Sequence, residues 1–217
     1  MKYARIVTPL LLSLTIVAAA VFPAPDSHAQ EPTQTAVLRV TDFEIDEVRS
    51  PQYSLDRGTS RVGDEELEWL RLTLMYETEG GENGWIDTLQ LNWYVLLLEG
   101  ATPRLLMKTS VSYLDISSEI DEHRAVVYVR PRAIRRYYNE DGDIDERNVV
   151  VHVEAVVGGR MIAEYSYLET RARIPERWWT FGAPQVRPLN NALLSRDKTP
   201  FAPLEYDRYE YIKPESR

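Results

Sequence analysis

The sequence predicts an all-β domain in which two sheets pack face to face. Seven runs of β-branched, aromatic and leucine residues follow one another between residues 36 and 168, and apolar side chains recur within them at every second position. This alternation is the signature of a strand, since successive side chains point to opposite faces. Gly, Asn, Asp and Pro separate the runs at short spacing, which favours a sandwich over βαβ units.

Each predicted strand has an apolar face. The first run, 36–48, alternates as far as Val40 and resumes at Phe43 after a one-residue shift, which predicts a β-bulge. The second and third runs, 67–78 and 86–98, each place a row of large apolar residues on one face: Leu70, Leu72, Leu74 and Tyr76, then Leu89, Leu91, Trp93, Val95 and Leu97. The remaining runs are 104–116, 124–129, 148–157 and 161–168.

Two connections carry strong local signals. Gly158 and Gly159 form a two-residue link between the sixth and seventh runs, and both can adopt the positive φ that a tight hairpin requires. Residues 131–138 begin with Pro131, which suits the first helical position because its missing N–H costs nothing there. Ile134 and Tyr138 would share one face of this segment. We expect one short helix between the fifth and sixth strands.

The composition changes after Arg173. The sandwich is therefore assigned to residues 36–173 and a C-terminal tail to 174–217. The density of proline in the tail argues against regular secondary structure. Its density of aromatic residues argues against disorder. The tail is expected to lie extended and to bury its rings against its own sandwich or against a partner.

The first 29 residues have the features of a cleavable export signal. Lys2 and Arg5 precede an apolar run at 10–22, and Ser27 and Ala29 suit a signal peptidase site after Ala29. The alternative is an uncleaved anchor, although the apolar run is shorter than a membrane span requires. Residues 30–35 form a polar leader. The protein is expected in the periplasm or at the cell surface, without membrane insertion after cleavage.

Composition excludes several classes of function. The chain contains no cysteine, so it cannot be a lipoprotein and has no disulfide, zinc–thiolate site or catalytic thiol. The net charge is −9, which disfavours nucleic acid because phosphate binding requires clustered Lys and Arg. Without disulfides, the domain must be stabilised by its apolar core. Its acidity implies solubility.

Signals for a metal or a catalytic site are weak. Asp141, Asp143 and Asp145 alternate in an acidic loop, but the glycine is misplaced for an EF-hand and no bidentate glutamate follows. A solvated turn between the helix and the sixth strand is the favoured explanation, because charged loops are usually exposed. His123 and His152 lie on different predicted strands, and His152 alternates with valines and so is expected on the less buried face. No catalytic motif occurs, and we predict neither an enzyme nor a cofactor.

The tail aromatics are the best candidates for an interaction site. Large rings dominate the energetics of interfaces, and flat rings also stack on sugars. Three hypotheses remain open: a protein-interaction surface, a carbohydrate-binding module and an unrecognised hydrolase. The interaction residues predicted on this basis are Trp178, Trp179, Phe181, Phe201, Tyr206, Tyr209 and Tyr211.

The tail also carries a family resemblance. The sequence NALLSRDKTPFAPL at 191–204, followed by YDRYE at 206–210, resembles the C-terminal signature of small exported bacterial proteins found alongside type IV pilus components. FEI at 43–45 and SPQY at 50–53 are similar to the opening of the same group. The resemblance implies an immunoglobulin-like sandwich of about seven strands. It also implies a non-enzymatic accessory role with a protein partner in the cell envelope, and it supplies no catalytic residue.

Overall fold

The computed structural model describes residues 36–51, 67–138, 144–170, 172–180 and 186–214. The predicted export signal and leader lie outside these ranges. No helix in the described part has the length and hydropathy needed to cross a membrane. The described ranges form these elements: β1 (Val37–Arg49), β2 (Glu68–Glu79), β3 (Trp85–Glu99), β4 (Thr102–Ser117), β5 (His123–Val129), α1 (Pro131–Tyr137), β6 (Val149–Val157), β7 (Arg160–Leu168), β8 (Arg187–Leu189) and β9 (Leu193–Ser195).

The strands form two sheets that enclose one core. The smaller sheet has the order β1-β2-β5-β9 and the larger sheet β7-β6-β3-β4-β8. Neighbouring strands are antiparallel, except that β8 runs parallel to β4. The prediction of an all-β sandwich is confirmed, while the narrower immunoglobulin-like assignment stays a prediction.

The core is built from the alternating faces that the sequence predicted. Each residue of the predicted apolar rows of β2 and β3 has at most 1% of its surface exposed. The core also contains the buried residues Val149, Val151, Val153 and Ala155 of β6. Removing one such large side chain from water contributes roughly 2 kcal/mol. The sandwich is thus held by apolar packing between its sheets.

The local signals for the bulge, the hairpin and the helix are confirmed. The pairing of β1 with β2 shifts register between Val40 and Asp42. Gly158 and Gly159 have φ values of 58° and 77° in the β6–β7 turn. Helix α1 begins at Pro131 and ends at Tyr137, one residue earlier than predicted. The Tyr138 hydroxyl donates to the carbonyl of Leu98 over 2.7 Å, which fixes the end of the helix on β3.

The tail contains more regular secondary structure than its proline content predicted. It contributes β9 beside β5 and β8 beside β4, and Ile212 forms a further bridge to Tyr113 of β4. Pro188 belongs to β8 at a sheet edge, the part of a sheet in which proline is found. The tail therefore covers the edges formed by β4 and β5. Strands β1 and β7 end the two sheets on the opposite side, where they contact each other.

Candidate functional site

The first part of the tail covers the outer face of the larger sheet. Trp178 is buried against Leu96 and Leu98 of β3 and Val150 of β6, and Val186 completes this cluster. These apolar residues point away from the central core, because they occupy the alternate positions of their strands. The tail supplies the cover that an exposed apolar sheet face needs.

Trp179 covers a histidine that was expected to be less buried. His152 points to the outer face as the alternation of β6 predicts, yet only 1% of its surface is exposed. The Trp179 ring stacks on the imidazole with centroids 3.4 Å apart. The expectation of a less buried His152 is therefore wrong, because alternation predicts the face of a side chain and not what lies over it. Burial lowers the pKa of His152, although Glu154 and Glu164 act in the opposite direction.

The second part of the tail covers the outer face of the smaller sheet. Phe201 stacks on Tyr128 of β5 with centroids 4.6 Å apart and planes at 3°. It also meets Trp69 of β2 edge-on at 5.7 Å. Val126 is buried in the same cluster. Phe201 is thus an anchor that holds the tail against its own domain.

A buried arginine organises the chain after β9. Arg196 donates from Nη1 to the carbonyl oxygens of Ala202 and Leu204 over 2.8 and 3.1 Å. Its guanidinium lies 5.6 Å from the ring centroid of Tyr206 and 5.3 Å from that of Tyr209. One side chain therefore fixes both the backbone and the rings of this segment.

The end of the described tail is attached to β4 and β5. Glu210 lies 2.7 Å from Nδ1 of the fully buried His123, whose Nε2 is 2.8 Å from the carbonyl oxygen of Ser117. The backbone N–H of Leu114 donates to the Tyr211 carbonyl, and the N–H of Lys213 donates to that of Ser112. The backbone around Tyr211 is held on both sides.

The structure divides the predicted interaction residues into two groups. Trp178 and Phe201 are buried, and Trp179 and Tyr209 are half-buried. Tyr206 and Tyr211 are 56% and 50% exposed, and Leu204, two residues before Tyr206 in the chain, is also exposed. Phe181 lies outside the described residues. Leu204, Tyr206 and Tyr211 are called the exposed tail surface below.

The anchors Arg196, His123 and His152 were not predicted from sequence. Arg196 lies between the apolar residues of β9 and the proline-rich stretch that follows, and a charged residue in that position is the one available signal. The two histidines are buried by residues distant in sequence, Tyr76 and Glu210 at His123 and Trp179 at His152, so no local pattern identifies them.

Of the three candidate ligands in the acidic loop, Asp145 belongs to the described residues. Asp145 caps the short 3-10 turn Glu146–Asn148 and accepts from the N–H of Arg147 over 3.0 Å. Its contacts with the Arg147 side chain lower the pKa of the Asp145 carboxyl. Asp141 and Asp143 lie outside the described residues. In the described ranges, no three His, Asp or Glu side chains are grouped to hold a metal ion.

The closest approach to a catalytic arrangement is on β6 and β7. Ser166 Oγ lies 2.7 Å from Nδ1 of His152, while Nε2 is 4.0 Å from Glu154 and 3.9 Å from Glu164. The last two distances are too long for hydrogen bonds. Along the described chain, these side chains therefore form no continuous hydrogen-bonded relay from nucleophile to base to acid.

Comparison with known proteins places the chain in a family. A protein-family model matches residues 29–216, which is most of the sequence. The chain belongs to this family, which is pilus-related. The match includes both the sandwich and the tail.

A solved structure supports the fold independently. A crystal structure of a protein from Akkermansia muciniphila is similar, with a TM-score of 0.70 and 23% sequence identity, covering 85% of this chain and 97% of that one. At this identity the similarity shows the fold alone. Among curated proteins, none matches the sequence.

Proposed function

We propose that this protein is a non-enzymatic, exported accessory protein of a pilus-related envelope assembly. It contacts a protein partner through the exposed tail surface. The observation that carries this proposal is the division of the tail aromatics: one group anchors the tail to the sandwich, and Tyr206 and Tyr211 remain exposed. The pilus-related family and the tail resemblance support the class of assembly.

The exposed tail surface is suited to binding because its backbone is already ordered. Arg196 fixes the carbonyls on either side of Pro203, and the backbone at Tyr211 pairs with β4. A preorganised surface loses less conformational entropy when a partner binds. Tyrosine is enriched at interfaces because it combines a large apolar ring with a polar hydroxyl.

Photocrosslinking in the native envelope tests the proposal. A photoreactive amino acid placed at position 206 or 211 is expected to crosslink to one defined envelope protein. The double variant Tyr206→Ala/Tyr211→Ala should reduce co-purification of that protein by about tenfold or more, since aromatic anchors dominate interface energies. Mass spectrometry of the crosslinked product identifies the partner.

Trp85 supplies the matched control. Its ring is 46% exposed at the start of β3, so Trp85→Ala removes a comparable apolar surface outside the tail. This variant should retain the partner. The proposal fails if positions 206, 211 and 85 give the same products, or if the double tyrosine variant co-purifies the partner as the unchanged protein does.

The carbohydrate alternative gains no support from the tail tryptophans. Trp178 and Trp179 meet at an interplanar angle of 86°, and Trp178 is buried. A sugar-stacking platform requires an accessible flat face, and these two rings do not share a plane. Protein contact is therefore the function that we propose.

A further inference from the structure

A pair of like charges lies on the outer face of the larger sheet. Glu154 of β6 and Glu164 of β7 are directly opposite each other in the strand register. Carboxylates in this arrangement repel each other and destabilise a sheet. In the described part of the chain, the only basic side chain within ion-pair distance of either is His152.

Neighbouring polar side chains hold Glu154 in place. Its Oε2 accepts from the Tyr94 hydroxyl over 3.2 Å and from Asn92 Nδ2 over 3.4 Å. The Asn92 oxygen accepts in turn from Gln90 and Ser110 over 2.8 and 2.9 Å. This network leaves Oε1 of Glu154 directed toward His152.

The Nε2 atom of His152 lies close to both carboxylates. It is buried without a hydrogen-bond partner, and it lies 4.0 Å from Oε1 of Glu154 and 3.9 Å from Oε2 of Glu164. A buried polar atom without a partner costs free energy. Because burial lowers the pKa of this imidazole, it is neutral near pH 7 and leaves both negative charges uncompensated.

The surroundings suit an organic cation. Trp179 and Tyr94 both lie against the His152 ring, with centroids 3.4 and 6.0 Å from it, and aromatic faces attract guanidinium groups. The planar guanidinium also presents several N–H donors in a fixed geometry, so it can bind two carboxylates at once. The absence of a metal-type grouping among the described residues favours this ligand over a metal ion.

We infer that Glu154 and Glu164, which both face Nε2 of His152, bind the guanidinium group of an arginine from a protein partner. A partner can reach the site through Glu164, because 58% of its side-chain surface is exposed. The site lies on a different surface from the exposed tail surface and extends the proposed function to a second contact.

Binding of a short peptide tests this inference. The probe is acetyl-Gly-Arg-Gly-amide, added to the mature protein while the imidazole C–H resonances of His152 are followed by NMR. The control peptide contains citrulline, which has nearly the same shape as arginine but no charge. We expect the arginine peptide to shift the His152 resonances in a saturable manner and the citrulline peptide to leave them unchanged.

Three variants sharpen the test. Glu164→Gln should weaken the binding of the arginine peptide by about tenfold, which is the effect expected when a charge pair loses one partner. Glu164→Lys supplies a cation from the chain itself and should abolish binding while the domain stays folded. Glu119→Gln, an exposed change in the β4–β5 turn, should bind as the unchanged protein does.

Several results would overturn the inference. These are equal binding of the citrulline peptide, equal binding by Glu164→Gln, or no His152 shift up to the solubility limit of the peptide. Displacement of the peptide by Zn²⁺ or Ca²⁺ alone, with the same His152 shift, would assign the site to a metal instead. The purified protein is used throughout, so failure here is distinguishable from failure of the tail crosslinking experiment.

Discussion

The Trp179 indole lies on the His152 imidazole with ring centroids 3.4 Å apart and ring planes 14° apart. Trp179 belongs to the tail and His152 to β6, so this stack joins the tail to the larger sheet. The stack excludes water from a titratable group that Glu154 and Glu164 also face. The position of the tail and the protonation of His152 are therefore coupled.

Removing the indole should change the titration of His152. In Trp179→Ala the imidazole becomes hydrated while Glu154 and Glu164 remain close, so the pKa of His152 should rise from its lowered value. An NMR pH titration of the imidazole C–H resonances measures this rise. Trp85→Ala should leave the titration unchanged, and an unchanged His152 titration in Trp179→Ala would contradict the coupling.

The same pKa shift predicts how stability depends on pH. A histidine with a lowered folded-state pKa binds protons more readily in the unfolded chain, so the free energy of unfolding falls as the pH drops below the ordinary imidazole pKa of about 6.5. His152→Gln removes this titration and should give a shallower loss of stability below that pH. Urea unfolding at several pH values measures both slopes, and identical slopes would exclude His152 as the source.

Phe201 should be the main anchor of the second part of the tail. Phe201→Ala removes a buried ring stacked on Tyr128 and should lower the free energy of unfolding by about 3 kcal/mol. The exposed Tyr206 is the control, and Tyr206→Ala should cost less than about 1 kcal/mol. Urea denaturation compares the two. Equal costs would mean that the stacked position of Phe201 contributes little stability.

The sandwich could be predicted because its signals are local. Alternation within β2, β3 and β6 determines which side chains enter the core, and Gly158-Gly159 determines the hairpin. The bulge after Val40 also appears in the sequence as a one-residue shift of the apolar pattern. Each of these features depends on residues close together in the chain.

The tail could be predicted only in part because its contacts are distant in sequence. Strands β8 and β9 have three residues each, too few to show an alternating pattern. The partner of β8 is Leu105–Met107 of β4, far earlier in the chain. Aromatic composition indicated that the tail would bury rings. Composition alone did not distinguish the buried Phe201 from the exposed Tyr206.

Two glycines in the β2–β3 turn provide a matched pair of substitutions. Both have positive φ, 83° at Gly81 and 81° at Gly84. A Cβ at Gly81 would clash with the carbonyl oxygen of Trp85, whereas a Cβ at Gly84 would meet nothing within 4 Å. Gly84→Ala should therefore cost about 1 kcal/mol for the backbone conformation alone, and Gly81→Ala clearly more. Thermal unfolding ranks them, and equal costs would contradict the close approach at Gly81.

Arg196 should control the order of the exposed tail surface. Arg196→Met leaves the carbonyls of Ala202 and Leu204 without their donor, and we expect a loss of about 2–3 kcal/mol, typical of hydrogen bonds to a charged group. Arg196→Lys should have an intermediate stability, because an ammonium can still donate to the carbonyl oxygens but lacks the planar guanidinium that lies over the tyrosine rings. Urea unfolding gives the stability. Limited proteolysis between residues 199 and 211 should be faster in Arg196→Met than in Tyr206→Ala, because only the first change releases the backbone. Equal proteolysis in the two variants would show that Phe201 and Glu210 hold this segment without Arg196.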